Sequence, residues 1–96
     1  MIASFGNKAT ELVFHGETSK DTRKLPPNLI ATFQSKLDLI NAAHEIQDLK
    51  VPPGNRLEKL KGDLKDFYSI RVNQQFCIIF KWVSHEAYAV EIIDYH

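Results

Sequence analysis

What the chain lacks narrows the possibilities first. Cysteine occurs once, at Cys77, so no internal disulfide can form, whereas small secreted domains usually carry several. The longest unbroken apolar run is Phe76-Cys77-Ile78-Ile79-Phe80, and a membrane-spanning helix needs roughly 20 such residues. The opening Met1-Ile2-Ala3-Ser4-Phe5-Gly6-Asn7-Lys8 has no basic region leading into an apolar stretch, so no secretory signal is read there. A cytoplasmic location without membrane contact is expected. Net charge is also missing: twelve basic side chains cancel twelve acidic ones, and overall charge gives no argument for nucleic acid. The glycines at 6, 16, 54 and 62 form neither GxxxxGK[ST] nor GxGxxG, and His15, His44, His85 and His96 have no HxxxH or CxxC companion. Neither a nucleotide loop nor a metal site is expected, and no cofactor.

What is there describes an ordinary globular chain. Hydrophobic residues make up 44% and charged residues 25% of 96, which excludes disorder, collagen and coiled rods. One domain, residues 1–96, is the expected organisation, with about two thirds of the unfolded surface buried. Charge is unevenly spread. Lys50, Arg56, Lys59, Lys61, Lys65 and Arg71 outnumber Glu58, Asp63 and Asp66, while Glu86, Glu91 and Asp94 close the chain with no Lys or Arg beside them.

The local signals read as follows. Ile2 and Phe5 flank a short edge strand, and Asn7 caps a first helix over Lys8 to His15 that Gly16 stops. Gly16 to Asn28 is polar, holds Pro26 and Pro27, and has one large apolar side chain, Leu25; it is read as a flexible excursion, poorly ordered in the free protein. After Asn28, another cap, the residues Leu29, Ile30, Phe33, Leu37 and Ile40 fall on one face of a second helix. Val51-Pro52-Pro53-Gly54-Asn55 then breaks the chain. Phe67 to Val72 alternates, with Tyr68, Ile70 and Val72 on one face and Ser69 and Arg71 on the other. Phe76 to Trp82 is nearly continuous, as a central strand covered on both faces would be. Tyr88 to Tyr95 alternates again, with Tyr88, Val90 and Ile92 inward, and Leu57 to Lys61 supplies a further, weaker strand. Asn73-Gln74-Gln75 and Ser84-His85-Glu86 suit hairpins, so the fold class is α+β: two N-terminal helices packed on a small, mainly antiparallel sheet.

Two clusters carry chemistry. Asp94-Tyr95-His96 ends the chain with three proton-handling side chains, and a terminal carboxylate on His96 would raise its imidazole pKa; the alternative is a solvated tail. Arg71, Lys59 and Lys61 would line a concave basic face beside that tail, the alternative being a solvated charged surface. RNA suits such a face better than DNA, since no recognition helix is evident. Cys77, between Phe76 and Ile78, reads as a small half-buried hydrophobe with no nucleophilic role.

At the level of motifs, Asp48 to Asp63 with its Pro-Pro-Gly-Asn-Arg-Leu-Glu core, Tyr68-Ser69-Ile70-Arg71-Val72-Asn73 and the closing Val90 to His96 with its Asp-Tyr-His end resemble the HigB-like branch of the RelE toxin superfamily. Met1 to Phe5 and Asn41-Ala42-Ala43 extend the likeness to nearly the whole chain. The resemblance implies a RelE-like fold and the toxin half of a type II toxin–antitoxin pair. It further implies a metal-independent endoribonuclease that cuts messenger RNA in the decoding site of the 70S ribosome. The implied partner is a helix-turn-helix antitoxin, HigA-like, which alone contacts operator DNA.

Carried over by position, the resemblance makes His96 the general acid or base, Tyr95 a base-orienting ring, Asp94 a residue that sets the tail, and Lys61 a basic residue of the site. It makes Arg56, Lys59, Arg71 and Asn73 RNA-facing. The chain departs from the pattern twice. A histidine stands in some relatives where this chain has Glu58, and an active-site arginine is usual where it has Cys77. The second departure implies weakened cleavage with folding and antitoxin binding intact.

Overall fold

A computed structural model describes residues 1–95. Helix α1, Lys8–His15, begins where the Asn7 side chain accepts the Thr10 N–H at 2.9 Å and ends at Gly16, whose φ of 73° turns the chain out of the helix. Helix α2, Ile30–Ala42, follows a single tight turn at Pro27–Leu29. Asn28 sits inside that turn and makes no side-chain cap, contrary to the expectation from its residue type; Pro27 at the head of the turn already presets the backbone there.

Four strands follow: β1 Glu58–Lys59, β2 Phe67–Arg71, β3 Phe76–Val83 and β4 Glu86–Asp94, in the order β1-β2-β3-β4 with every neighbouring pair antiparallel. The β3–β4 turn places Ser84 and His85 at φ 51° and 69°, the left-handed pair that matches strand twist in a two-residue hairpin. The N-terminal segment makes only isolated parallel bridges to β4, Ile2 with Ala87 and Phe5 with Val90, instead of a full edge strand. Its approach is close enough that a Cβ at Gly6 would lie 3.0 Å from the Glu91 Cβ, so only glycine fits there.

Both helices lie on one face of the sheet. Val13, Phe33, Leu37 and Ile40 meet Ile70, Phe76, Ile78, Phe80, Ala87, Val90 and Ile92 in a single core. Thr10, fully buried on α1, joins the layers by accepting the Ile92 N–H at 2.9 Å. Among the described residues no helix is long and apolar enough to cross a membrane.

Three expectations change. Strand β3 is covered by helices on one face only; its other face carries Cys77 and Ile79, which are buried beneath the walls of a hollow instead of a second layer. In β4 the register slips by one, because Ile79 pairs with Glu91 but Lys81 pairs with Tyr88, and Ala89 takes a φ of 53°. This bulge turns Tyr88 to the face of Lys81 and gives the inward place to Ala87. The segment 16–28 is folded: the Ser19 N–H donates to Thr22 Oγ1 at 3.1 Å, that hydroxyl donates back to the Ser19 carbonyl at 2.9 Å, and Thr22 is buried.

The Pro-Pro-Gly-Asn-Arg segment is held by Asn55, which is fully buried. Its amide donates to the carbonyls of Leu49 at 3.1 Å and Val51 at 3.4 Å, and its oxygen accepts from Lys36 Nζ. Asn55→Ala is expected to lower unfolding free energy by about 1–3 kcal/mol in a urea titration, because it leaves the buried Leu49 carbonyl without that donor. Asn28→Ala, at an exposed position without such bonds, should stay within about 0.5 kcal/mol of the parent.

Candidate functional site

Side chains alternate across a sheet, so the residues turned away from the helices are set by register. Ser69 pairs with Ile79, Arg71 with Cys77, and Cys77 with Ile93, which places all five on the open face. Glu58 pairs with Ser69 and joins them. These residues, with Arg56, Leu60, Leu64 and Tyr95, enclose a hollow of about 310 Å³, at the lower end of the range for small-molecule sites. Its floor is apolar, from Cys77, Ile79 and Ile93, and Leu60 and Leu64 add apolar surface beside it.

The rim is polar and is built by local backbone devices. Arg56 leaves the Pro53–Asn55 turn in the left-handed region, at φ 46°, just after the anchor at Asn55. Arg71 ends β2, with its guanidinium carbon 6.0 Å from the centre of the Tyr95 ring. Tyr95 is fixed at both ends: its N–H donates to the Gln75 carbonyl at 3.0 Å and its hydroxyl to the Asn73 carbonyl at 2.8 Å. Asp94 accepts from Gln75 Nε2 at 2.9 Å. The β2–β3 turn therefore holds the end of the chain against the cations.

The expected site residues are only partly assembled. Arg56, Arg71, Cys77 and Tyr95 line the hollow, and Asp94 stands one residue before Tyr95. Asn73 supports Tyr95, but its side-chain oxygen is taken up by the N–H groups of Gln75 and Phe76, at 2.8 and 2.7 Å. Lys59 is turned to the other face, with Nζ 4.6 Å from the centre of the Tyr68 ring, because it pairs with a core-facing position of β2. Lys61 is exposed, at the start of the Gly62–Leu64 turn, and is not among the hollow's lining residues. His96 lies outside the described residues. Glu58, noted in the sequence only as a departure from relatives, proves to line the hollow; the signal that finds it is its spacing of two from Leu60 along a strand.

The Cys77 thiol is pushed above its ordinary pKa by burial, against the opposing hydrogen bond with Ser69; the Glu58 carboxylate adds to the rise and Arg71 opposes it. It is a neutral thiol at pH 7, neither nucleophile nor cation.

Two helices on one face of an antiparallel meander, with a cation-rimmed hollow on the other, is the architecture of a RelE-like toxin. Residues 4–96 match the HigB-like toxin family, described as RelE-like toxins of the type II toxin–antitoxin system HigB, and the chain belongs to that family. It is 41% identical over 83 residues to Toxin HigB-1 of Vibrio cholerae serotype O1, covering 86% of this chain and 85% of the relative. It is 33% identical over 97 aligned residues to Endoribonuclease HigB of Proteus vulgaris, covering all of both chains. An uncharacterized protein of Haemophilus influenzae is 48% identical over 63 residues, 66% of this chain and 62% of that one. A toxin of this type is one half of a pair, so a cognate antitoxin belongs with it.

The raised thiol pKa has a stability consequence of definite sign. A folded pKa above the ordinary 9.0 means that the contribution is complete below pH 9.0 and is lost as pH rises through the folded value. Iodoacetamide alkylation of native Cys77 should therefore still be accelerating with pH above 9, whereas the urea-unfolded chain should level off near it. A native profile that levels off at or below the unfolded one would contradict the burial argument.

Proposed function

We propose that the chain is a ribosome-dependent, metal-independent messenger-RNA endonuclease, restrained by a cognate helix-turn-helix antitoxin. The observation that carries this reading is the hollow between Arg56 and Arg71, closed at one end by Tyr95. Two guanidinium groups beside a concave surface suit a phosphodiester, since each can donate two parallel hydrogen bonds to it. A clamped, 41% exposed aromatic ring suits an unpaired base. The name of the Proteus vulgaris relative, an endoribonuclease, supports the same reaction class.

The reaction needs little covalent chemistry from the protein. The ribose 2′-hydroxyl gives up its proton to water as its oxygen attacks the adjacent phosphorus, a 2′,3′-cyclic phosphate forms, and the bond to the 5′-oxygen breaks. Arg56 and Arg71 would offset the extra negative charge on the phosphate oxygens, and a proton must reach the leaving 5′-oxygen. His96, directly after Tyr95, is the proposed donor. The work would be done in the cytoplasm on translating ribosomes, with operator DNA contacted only through the antitoxin.

Cys77 favours a second reading, a module of the same fold that binds antitoxin or ribosome without cutting. It lies on the floor of the hollow opposite Arg71, where an arginine would send a third guanidinium toward the phosphate. Loss of one preorganised donor of this kind costs roughly 10²- to 10³-fold in rate.

Cys77→Arg is therefore expected to deepen growth arrest on induction and to raise the yield of new RNA ends in a translation extract by about 10²-fold. Arg71→Ala in that background should remove most of the gain, and a chelator should leave cutting unchanged. Equal growth with Cys77 and with arginine would remove Cys77 from the active site. Stalled synthesis without new ends in either version would leave the binding module as the reading.

A further inference from the structure

One group in the hollow does not belong in a phosphate site. Glu58 is exposed and lines the same hollow as the two arginines, yet among the described residues it forms no ion pair with either of them. A carboxylate repels the backbone of an RNA, so Glu58 weakens phosphate binding in the hollow unless it accepts hydrogen bonds from the bound molecule. Phosphate contacts position a strand, and contacts to base edges specify it.

Resting on the ribonuclease reading, we infer that the hollow is a nucleobase pocket in which Glu58 reads the Watson–Crick edge and selects guanine. Three observations meet here. The floor is apolar, from Cys77, Ile79 and Ile93, which suits the flat face of a base while the phosphodiester stays with the arginines at the rim. The cations sit at the rim, on Arg56 and Arg71, so a phosphate would be held outside while its base points inward. Among the described lining residues the one carboxylate is Glu58, on the β1 side. Guanine presents two adjacent donors, N1–H and the N2 amino group, which match the two oxygens of a carboxylate. Adenine and cytosine present one amino donor beside a ring acceptor, and uracil one N–H between two carbonyls that would face the carboxylate unfavourably.

The test uses the intact chain in two independent measurements. In the first, 5′-GMP, 5′-AMP, 5′-CMP and 5′-UMP are titrated against ¹⁵N-labelled protein. GMP should bind about tenfold tighter than UMP, with shifts at Glu58, Ser69 and Ile79, and Glu58→Gln should abolish the difference, since its amide turns a donor toward the guanine donors. In the second, RNA ends are mapped on ribosomes translating messages that differ only in one base of the codon in the decoding site. The parent should favour guanine there. Glu58→Gln should flatten that preference, read within each protein as the ratio of cutting at guanine to cutting at the other three bases.

Equal binding of the four nucleotides, or shifts confined to Arg56 and Arg71, would overturn the inference. So would an equal loss of cutting at every base in Glu58→Gln together with a lost limb in the pH profile, which would make Glu58 a proton acceptor and leave the ribonuclease reading intact. Selective, Glu58-dependent GMP binding without any RNA ends would uphold the pocket and sink the ribonuclease reading.

Discussion

The register of β2, β3 and β4 decides both halves of this molecule. With Ile70 opposite Ile78 and Ile78 opposite Ile92, one face of the sheet is apolar enough to hold two helices. The same pairing puts Arg71, Cys77 and Ile93 in one row on the other face. A slip of one residue would send the arginine into the core and the isoleucines into water, so core and hollow are specified together. The bulge at Ala89 keeps that arrangement over the length of β4. Without the extra residue, Tyr88 would be forced inward beneath α1 and α2, where Ala87 now fits beside Trp82.

The walls of the hollow depend on a different kind of order. Between Val51 and Phe67 regular structure is confined to two single turns and a two-residue strand, so the hydrogen bonds that would stiffen a longer element are absent. Asn55 supplies the substitute. By bonding two carbonyls and a lysine ammonium from its own buried position, it fixes the point from which Arg56 and then Glu58 project over the sheet. On the opposite wall, the Asn73 turn and Gln75 do the same for Tyr95 and Asp94. Amide side chains thus place the charged ones.

Much of this was legible in the sequence. The cap at Asn7, the stop at Gly16 and the alternation around Ile70 are local signals, and each element they announce is present. What escaped depends on non-local pairing. Lys59 and Glu58 are neighbours with similar surroundings in sequence, and only the pairing of Glu58 with Ser69 sends one to the hollow and the other to the Tyr68 ring. Tyr88 was misplaced because an alternating pattern cannot show a bulge whose extra residue is a small alanine. The segment 16–28 looked loose because a polar composition does not reveal that Ser19 and Thr22 satisfy each other.

The hollow also shows a division of charge by depth that follows from desolvation. At its floor the groups are neutral, and the one ionisable group there, the Cys77 thiol, is driven further toward neutrality by burial. At its rim Arg56, Arg71 and Glu58 remain reachable by water, where holding a charge costs little. Moving a guanidinium to the floor without a bound anion would carry the cost of burying a cation near Arg71, a like charge across the strand pair, offset in part by the carboxylate of Glu58. A cysteine at position 77 removes that cost from the empty site, and it removes with it the cation that an anion would have met there. If the hollow takes a phosphate, as proposed, stability of the free protein and strength of its grip on that phosphate are opposed at this position, and the side chain present favours the first.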